Sequence, residues 1–370
     1  MSTSQSNFSP SQSTDGAGPL SPYDAVMVVS FGGPEKPDDV VPFLRNVTAG
    51  KNIPDERLKE VGEHYYGFGG RSPINAQNQD LMEALAAELA ARGAELPVVI
   101  GNRNWEPYLP DTLATLTASG AKRVVCVVTS AYSSYSGCRQ YRENLAQAVA
   151  QTPGAPQLDR IRHYFNLPGF VEAITEGVQR CLDGMPPQTR LVFVTHSIPV
   201  AMNDSSGPDG GAYVSQHQDV MSSVVAGLGG DYDHDLVFCS RSGPPSMPWL
   251  EPDVNDHLEE LAQAGVRHVV MVPIGFISDH MEVAYDLDTE AMATAQRLGI
   301  TARRAPTAGT HPAFVKGLVD LLVERAALAR GEHATREVIG DLPPAGEYCA
   351  VGCCPNLRAD KSAIWEGPRG

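Results

Sequence analysis

The sequence predicts an α/β protein built on parallel sheets and folded as two similar halves. Three observations carry this. From Tyr23 onward, short β-branched runs alternate with helical patterns, and strand–helix alternation over a whole chain signals parallel sheets. Most of the runs are continuously apolar rather than alternating, as strands covered on both faces are. Third, TASGAKRVVCV (117–127) matches AQAGVRHVVMV (262–272), with Gly120, Val124, Val125 and Val127 falling on Gly265, Val269, Val270 and Val272.

Residues 1–21, rich in Ser, Gln, Gly and Pro with little to bury, read as a disordered leader. Strands are expected at 25–31, 97–101, 123–129, 161–164, 190–196, 235–239 and 267–273, each an apolar run between turn residues. Between them, 75–93 reads as a helix stopped by Gly93, and 280–298 as another. Helix 311–329 closes the globular part. The division expected is 22–165, 166–330 and a Gly/Pro-interrupted tail, 331–370, that holds three of the seven cysteines.

Charge narrows the function. With 28 Lys+Arg against 44 Asp+Glu the net charge is −16, which argues against a nucleic-acid binder and against a surface for anionic lipid. Apolar runs such as 25–29 and 124–128 are far short of a bilayer span. Residues 1–20 lack the basic and apolar regions of a secretory signal, so a cytoplasmic protein is expected, and we expect a monomer. An odd cysteine count in that setting makes a disulfide framework improbable. No GxGxxG follows the first strand, and no GxxxxGK[ST], GxSxG or HExxH occurs.

Two constellations remain. Thr195-His196-Ser197-Ile198-Pro199 directly follows the apolar run LVFV, and the carboxyl ends of strands in open α/β sheets are where ligands bind. An imidazole there can move protons or bind metal, or simply satisfy a loop carbonyl. After VVMVPIGF comes Ile277–Glu290, where Glu282, Asp286 and Glu290 stand four residues apart. On an α-helix they drift about 80° over 12 Å and form one acidic line. Like charges at that spacing oppose the helix, and a path for a divalent cation is one reason to keep them; a solvated acidic face is the other.

HSIP at 196–199, GFISDHMEVAYDLD at 275–288, FGGP at 31–34, YYGFGGRSPI at 65–74 and PWLEPDV at 248–254 together resemble the ferrochelatases, in the same order and from about Tyr23 to Leu328. The resemblance implies a chelatase-like fold: two Rossmann-like domains, each with a parallel four-stranded sheet flanked by helices, around a porphyrin cleft. It implies insertion of Fe²⁺ into that porphyrin in heme biosynthesis. His196 and Glu282 would be the inner catalytic and metal pair, with Asp286 and Glu290 the outer relay. Phe31, His64, Tyr65, Ser72 and Tyr141 would contact the porphyrin. Two departures stand out: some bacterial members have Tyr where this chain has Phe31, which cannot coordinate iron, and an Arg pair near the segment that here reads Val47–Gly50.

Cys349, Cys353 and Cys354 supply three soft ligands within six residues, and Cys138 can supply a fourth. Four thiolates suit an iron–sulfur cluster or structural zinc, and spacing does not choose between them. The resemblance implies a 2Fe–2S cluster on these four. Cys126, Cys181 and Cys239 read as small core residues. The hydroxyl-rich segment Ser130–Tyr135 stands where membrane-associated members have an apolar lip, so the resemblance favours coproporphyrin III over protoporphyrin IX. Open alternatives are a protoporphyrin enzyme, a cobalt or nickel chelatase acting on a corrin precursor, and a tetrapyrrole carrier without chemistry.

Overall fold

The computed structural model describes residues 18–50, 53–243 and 246–367. Most of the 1–21 leader therefore lies outside the described residues, but Leu20 is buried in the core.

Eight strands form two four-stranded sheets. β1 (Ala25–Ser30), β2 (Val98–Asn102), β3 (Arg123–Val128) and β4 (Gln157–Arg160) make the first, in the order β2-β1-β3-β4. β5 (Arg190–His196), β6 (His234–Cys239), β7 (His268–Val272) and β8 (Thr301–Arg304) make the second, in the order β6-β5-β7-β8. All six pairings are parallel. The two sheets thus share one topology, and the matched segments 117–127 and 262–272 end in β3 and β7, which hold the same place in each. Gly120 and Gly265 turn the chain into these strands with φ of +86° and +89°, a conformation that costs glycine little.

Apolar content decides the layers. β1 is buried along its whole length, Val28 pairing with Ile100 on one side and Val127 on the other. Helices Ile74–Ala91, Pro168–Leu182, Ala212–Leu228 and Pro312–Ala329 pack Leu85, Phe170, Val224 and Phe314 between the sheets, against Val26 and Val125 of one and Phe193 and Val270 of the other. Each such side chain contributes about 1.5–3 kcal/mol on burial. The outer face of the first sheet is covered by Leu109–Ala118, Gln140–Gln151 and Trp365 of the tail. Val254–Gln263 and 283–297 cover the outer face of the second. Among the described residues no helix is long and apolar enough to cross a membrane.

Three elements differ from expectation. The strand expected at 161–164 lies four residues earlier, as β4, and β8 was not foreseen. Both are edge strands, paired on one side only, and their sequences (QLDR, TARR) carry no apolar run. The expected helix 280–298 is a π-helix over Val283–Ala291 that passes into an α-helix over Met292–Arg297.

Candidate active site

His196 ends β5, and its ring faces the start of the π-helix: Nε2 lies 3.5 Å from Glu282 Oε2. Nδ1 makes a short contact with the Ser197 carbonyl. Burial alone would lower the imidazole, but Glu282 and the Ser197 carbonyl outweigh it and raise it to about 9. Glu282 is likewise penalised by burial, and His196 and His280 bring it down to about 2. Each of the two groups favours the charged form of the other. His280 sits on the far side, Nδ1 3.8 Å from the same Oε2, and burial lowers its imidazole against the pull of Glu282.

A fully buried network fixes His196 from behind. The Tyr213 hydroxyl donates to the His196 carbonyl at 2.8 Å and lies 2.8 Å from Thr195 Oγ1, which is 2.9 Å from His217 Nε2. Tyr132 stacks on the His217 ring at 3.7 Å. This arrangement explains Gly275: a Cβ there would stand 2.1 Å from Thr195 Oγ1.

Asp286 lies one turn on from Glu282. Burial, with repulsion from Glu282 and Glu290, pushes it up to about 6, against the hydrogen bond it accepts from Ser240. The π-helix changes the geometry expected for the acidic line. Its i→i+5 turn, roughly four and a half residues, carries the row slightly the other way round the axis and still keeps the three carboxylates on one face. π-turns inside helices recur at functional sites.

The remaining candidates lie at and beyond the strand ends of the first sheet. Phe31 follows β1 and packs edge-on against Phe43, which meets Tyr65 in the same way. His64 stacks on Tyr285 of the π-helix at 3.9 Å, joining helix Asp55–Tyr66 to the element that follows Glu282. Tyr141 and Phe31 are bridged by Arg103, whose guanidinium carbon lies 4.4 Å and 5.5 Å from the two rings. Ser72 is buried beneath Gly33. The segment Ser130–Tyr135 is different from expectation. The Tyr132 hydroxyl donates to the Ile274 carbonyl, Ser133 is bonded to Gln216 and Ser134 caps Gly137, so these hydroxyls are spent inside the fold.

Comparison with known proteins is decisive about the family. The ferrochelatase family model matches residues 23–326. The chain belongs to the ferrochelatase family. Relatives named coproporphyrin III ferrochelatase include one from Streptomyces coelicolor, 54% identical over 360 residues, covering 93% of this chain and 96% of the relative. Another from Tropheryma whipplei is 48% identical over 365 residues, covering 94% and 92%. A relative from Rhodopirellula baltica named ferrochelatase is 46% identical over 340 residues, covering 90% and 94%. Among solved structures, SirB from Bacillus subtilis with Fe³⁺ superposes with a TM-score of 0.51 at 14% identity, covering 83% of this chain and 97% of SirB. That likeness shows the chelatase-like fold alone.

The family's fold also gathers the four cysteines. Cys138, in the π-turn Tyr135–Arg139 after β3, contacts Cys349, which contacts Cys353; Cys353 and Cys354 sulfurs lie 3.8 Å apart. The tail reaches them by the irregular path its Gly and Pro allow. Arg162 donates to the Glu337 carbonyl, Asn166 to that of Leu342, and Trp365 Nε1 to that of Leu158. Gly207, in the second half, donates its N–H to Cys354 Sγ at 3.1 Å. Bonds from Cys138 and Cys353 hold the Cys349 thiol well below its usual range. Among the described residues no group of three His, Cys, Asp or Glu side chains is placed to hold a single metal ion, here or at His196. Four neighbouring thiols, Cys138 and Cys354 buried and Cys349 and Cys353 partly so, three of them receiving N–H donors, fit a sulfur-ligated group in kind and number. Cys126 and Cys239 are core residues of strands β3 and β6, and Cys181 is half-buried.

Reading the sequence missed Arg103, Ser240, the Thr195–Tyr213–His217 network and Arg160. Arg103 had a faint signal, since it stands just past the end of β2 as His196 stands at the end of β5. The others are joined to the site only through long-range contacts, for which a single sequence holds no sign.

Proposed function

We propose that the protein inserts ferrous iron into coproporphyrin III with release of two protons. The observation that carries this is the His196–Glu282 pair at the carboxyl end of β5, with Asp286 and Glu290 behind it. The names of the relatives support the choice of porphyrin; the spent hydroxyls of Tyr132, Ser133 and Ser134 do not.

A free-base porphyrin must lose two inner N–H protons as Fe²⁺ enters, so the site needs a cation path and a base. Glu290 and Asp286 form that path, and Glu282 ends it. While Glu282 is free its charge keeps His196 protonated. An Fe²⁺ ion engaging Glu282 cancels that field, the imidazole gives its proton to water, and the freed nitrogen takes the two ring protons in turn, passing each to water. The Thr195–Tyr213–His217 network holds the backbone of His196 still meanwhile. Phe31 and Tyr65 offer apolar surface to the macrocycle, and Arg103 offers a cation to a propionate.

We further propose that Cys138, Cys349, Cys353 and Cys354 hold a 2Fe–2S cluster, which when bound takes up and returns one electron. The cleft would lie between halves 22–165 and 166–330, with 331–370 as the tail that carries the thiols.

The test is anaerobic metallation with coproporphyrin III and protoporphyrin IX side by side. Collapse of the four-band free-base spectrum, faster with coproporphyrin, is expected. Bands that shift without collapsing would show a carrier instead.

A further inference from the structure

Arg160, the last residue of β4, is a buried guanidinium, 4% exposed, and none of its hydrogen bonds goes to a carboxylate. Nη2 donates to Cys349 Sγ at 3.2 Å and Nη1 reaches Cys138 Sγ at 3.6 Å. Nη1 is also 3.2 Å from His163 Nε2, and Nε donates to the Glu347 carbonyl. Trp365 packs beside the guanidinium. A buried charge without a counter-ion costs several kcal/mol, and neutral thiols are only weak acceptors.

The surroundings carry the same imbalance. Arg142 is wholly buried, and its Nη1 has no partner. Its Nη2 shares Glu366 with Arg139, which also pairs with Glu143. Three guanidiniums, Arg139, Arg142 and Arg160, therefore face two carboxylates, and of the three it is Arg160 that donates to the sulfurs. We propose that Arg160 and Arg142 are the built-in countercharge of the four-thiolate site, and that Arg160 sets how readily the cluster there accepts an electron. The inference rests on the cluster reading above. A 2Fe–2S unit on four thiolates is an anion when oxidised and gains one further negative charge on reduction. Cations bonded to its ligands stabilise the reduced form more.

The experiment uses the full chain purified without oxygen as wild type, Arg160→Gln, Arg160→Lys and Arg142→Gln. Iron and sulfide content, the visible spectrum and thermal melting are measured, followed by a dithionite titration against redox dyes. Arg160→Gln should keep its colour and shift the reduction equilibrium at least about tenfold toward the oxidised form, a fall of about 59 mV for one electron. Arg160→Lys, which keeps the charge, should stay closer to wild type than Arg160→Gln, and Arg142→Gln should shift in the same direction. An unchanged midpoint in Arg160→Gln would overturn the inference. If that variant loses the cluster, a loaded Arg160→Lys with a near-native midpoint supports charge as the reason, and an equally empty Arg160→Lys overturns it. A wild-type chain with zinc or no metal would instead sink the cluster reading itself.

Discussion

Replacing Asp286 by Asn should stabilise the protein at alkaline pH while impairing its use of iron. The Asp286 carboxyl is pushed up to about 6, by burial first and then by Glu282 and Glu290, against about 3.9 in an unfolded chain. A carboxyl raised in the fold is the reverse of the usual case. Its ionised form destabilises the native state. The cost is absent below about pH 4, grows as pH rises through the two values, and is complete above pH 6. Two units set a ceiling of about 3 kcal/mol, and partial access to solvent reduces that to about 1–2 kcal/mol. Urea unfolding of wild type and Asp286→Asn, both free of iron and porphyrin, should show that gain at pH 8 and about half of it at pH 5. Equal differences at both pH values, or a variant less stable at pH 8, would refute the reasoning.

Other outcomes follow from the same geometry. Asp286→Asn combined with Glu290→Gln should raise KM for Fe²⁺ more than KM for porphyrin in steady-state assays, because the row acts on the cation. Ser240 holds Asp286 from a left-handed backbone conformation, φ +60°, that a non-glycine residue adopts at a cost. Ser240→Ala and Ser240→Gly should both raise the iron KM, while the Gly variant melts at the higher temperature, by about 1 kcal/mol of relieved strain. Cys138, Cys349, Cys353 or Cys354 replaced by Ser should bleach protein purified without oxygen, whereas Cys126→Ser, Cys181→Ser and Cys239→Ser should leave its visible spectrum in place.

What could be read from the residues follows from how local each signal is. The apolar runs of β1, β3, β5 and β7 announce themselves because these inner strands are buried on both faces. The polar edge strands β4 and β8 do not, since Asp159 of β4 owes its burial to Tyr23, Arg123 and Arg325 from elsewhere in the chain. The match between 117–127 and 262–272 foretold two sheets of one topology. The acidic spacing foretold a row of carboxylates but not the π-helix that carries it, because spacing alone does not distinguish the two turns. His196 and Glu282 were legible as motif residues. Arg160, Ser240 and Tyr213 were not, because what matters about them is a contact with a distant segment.

The central claim is that His196 and Glu282 together carry the chemistry. The direct measurement is the anaerobic single-turnover rate of iron insertion into coproporphyrin III by His196→Ala and Glu282→Gln, with porphyrin binding followed separately by fluorescence. The account predicts that each variant binds porphyrin as wild type does and inserts iron at least about 100-fold more slowly. Near-native insertion by either variant would remove that residue from the mechanism and contradict the account.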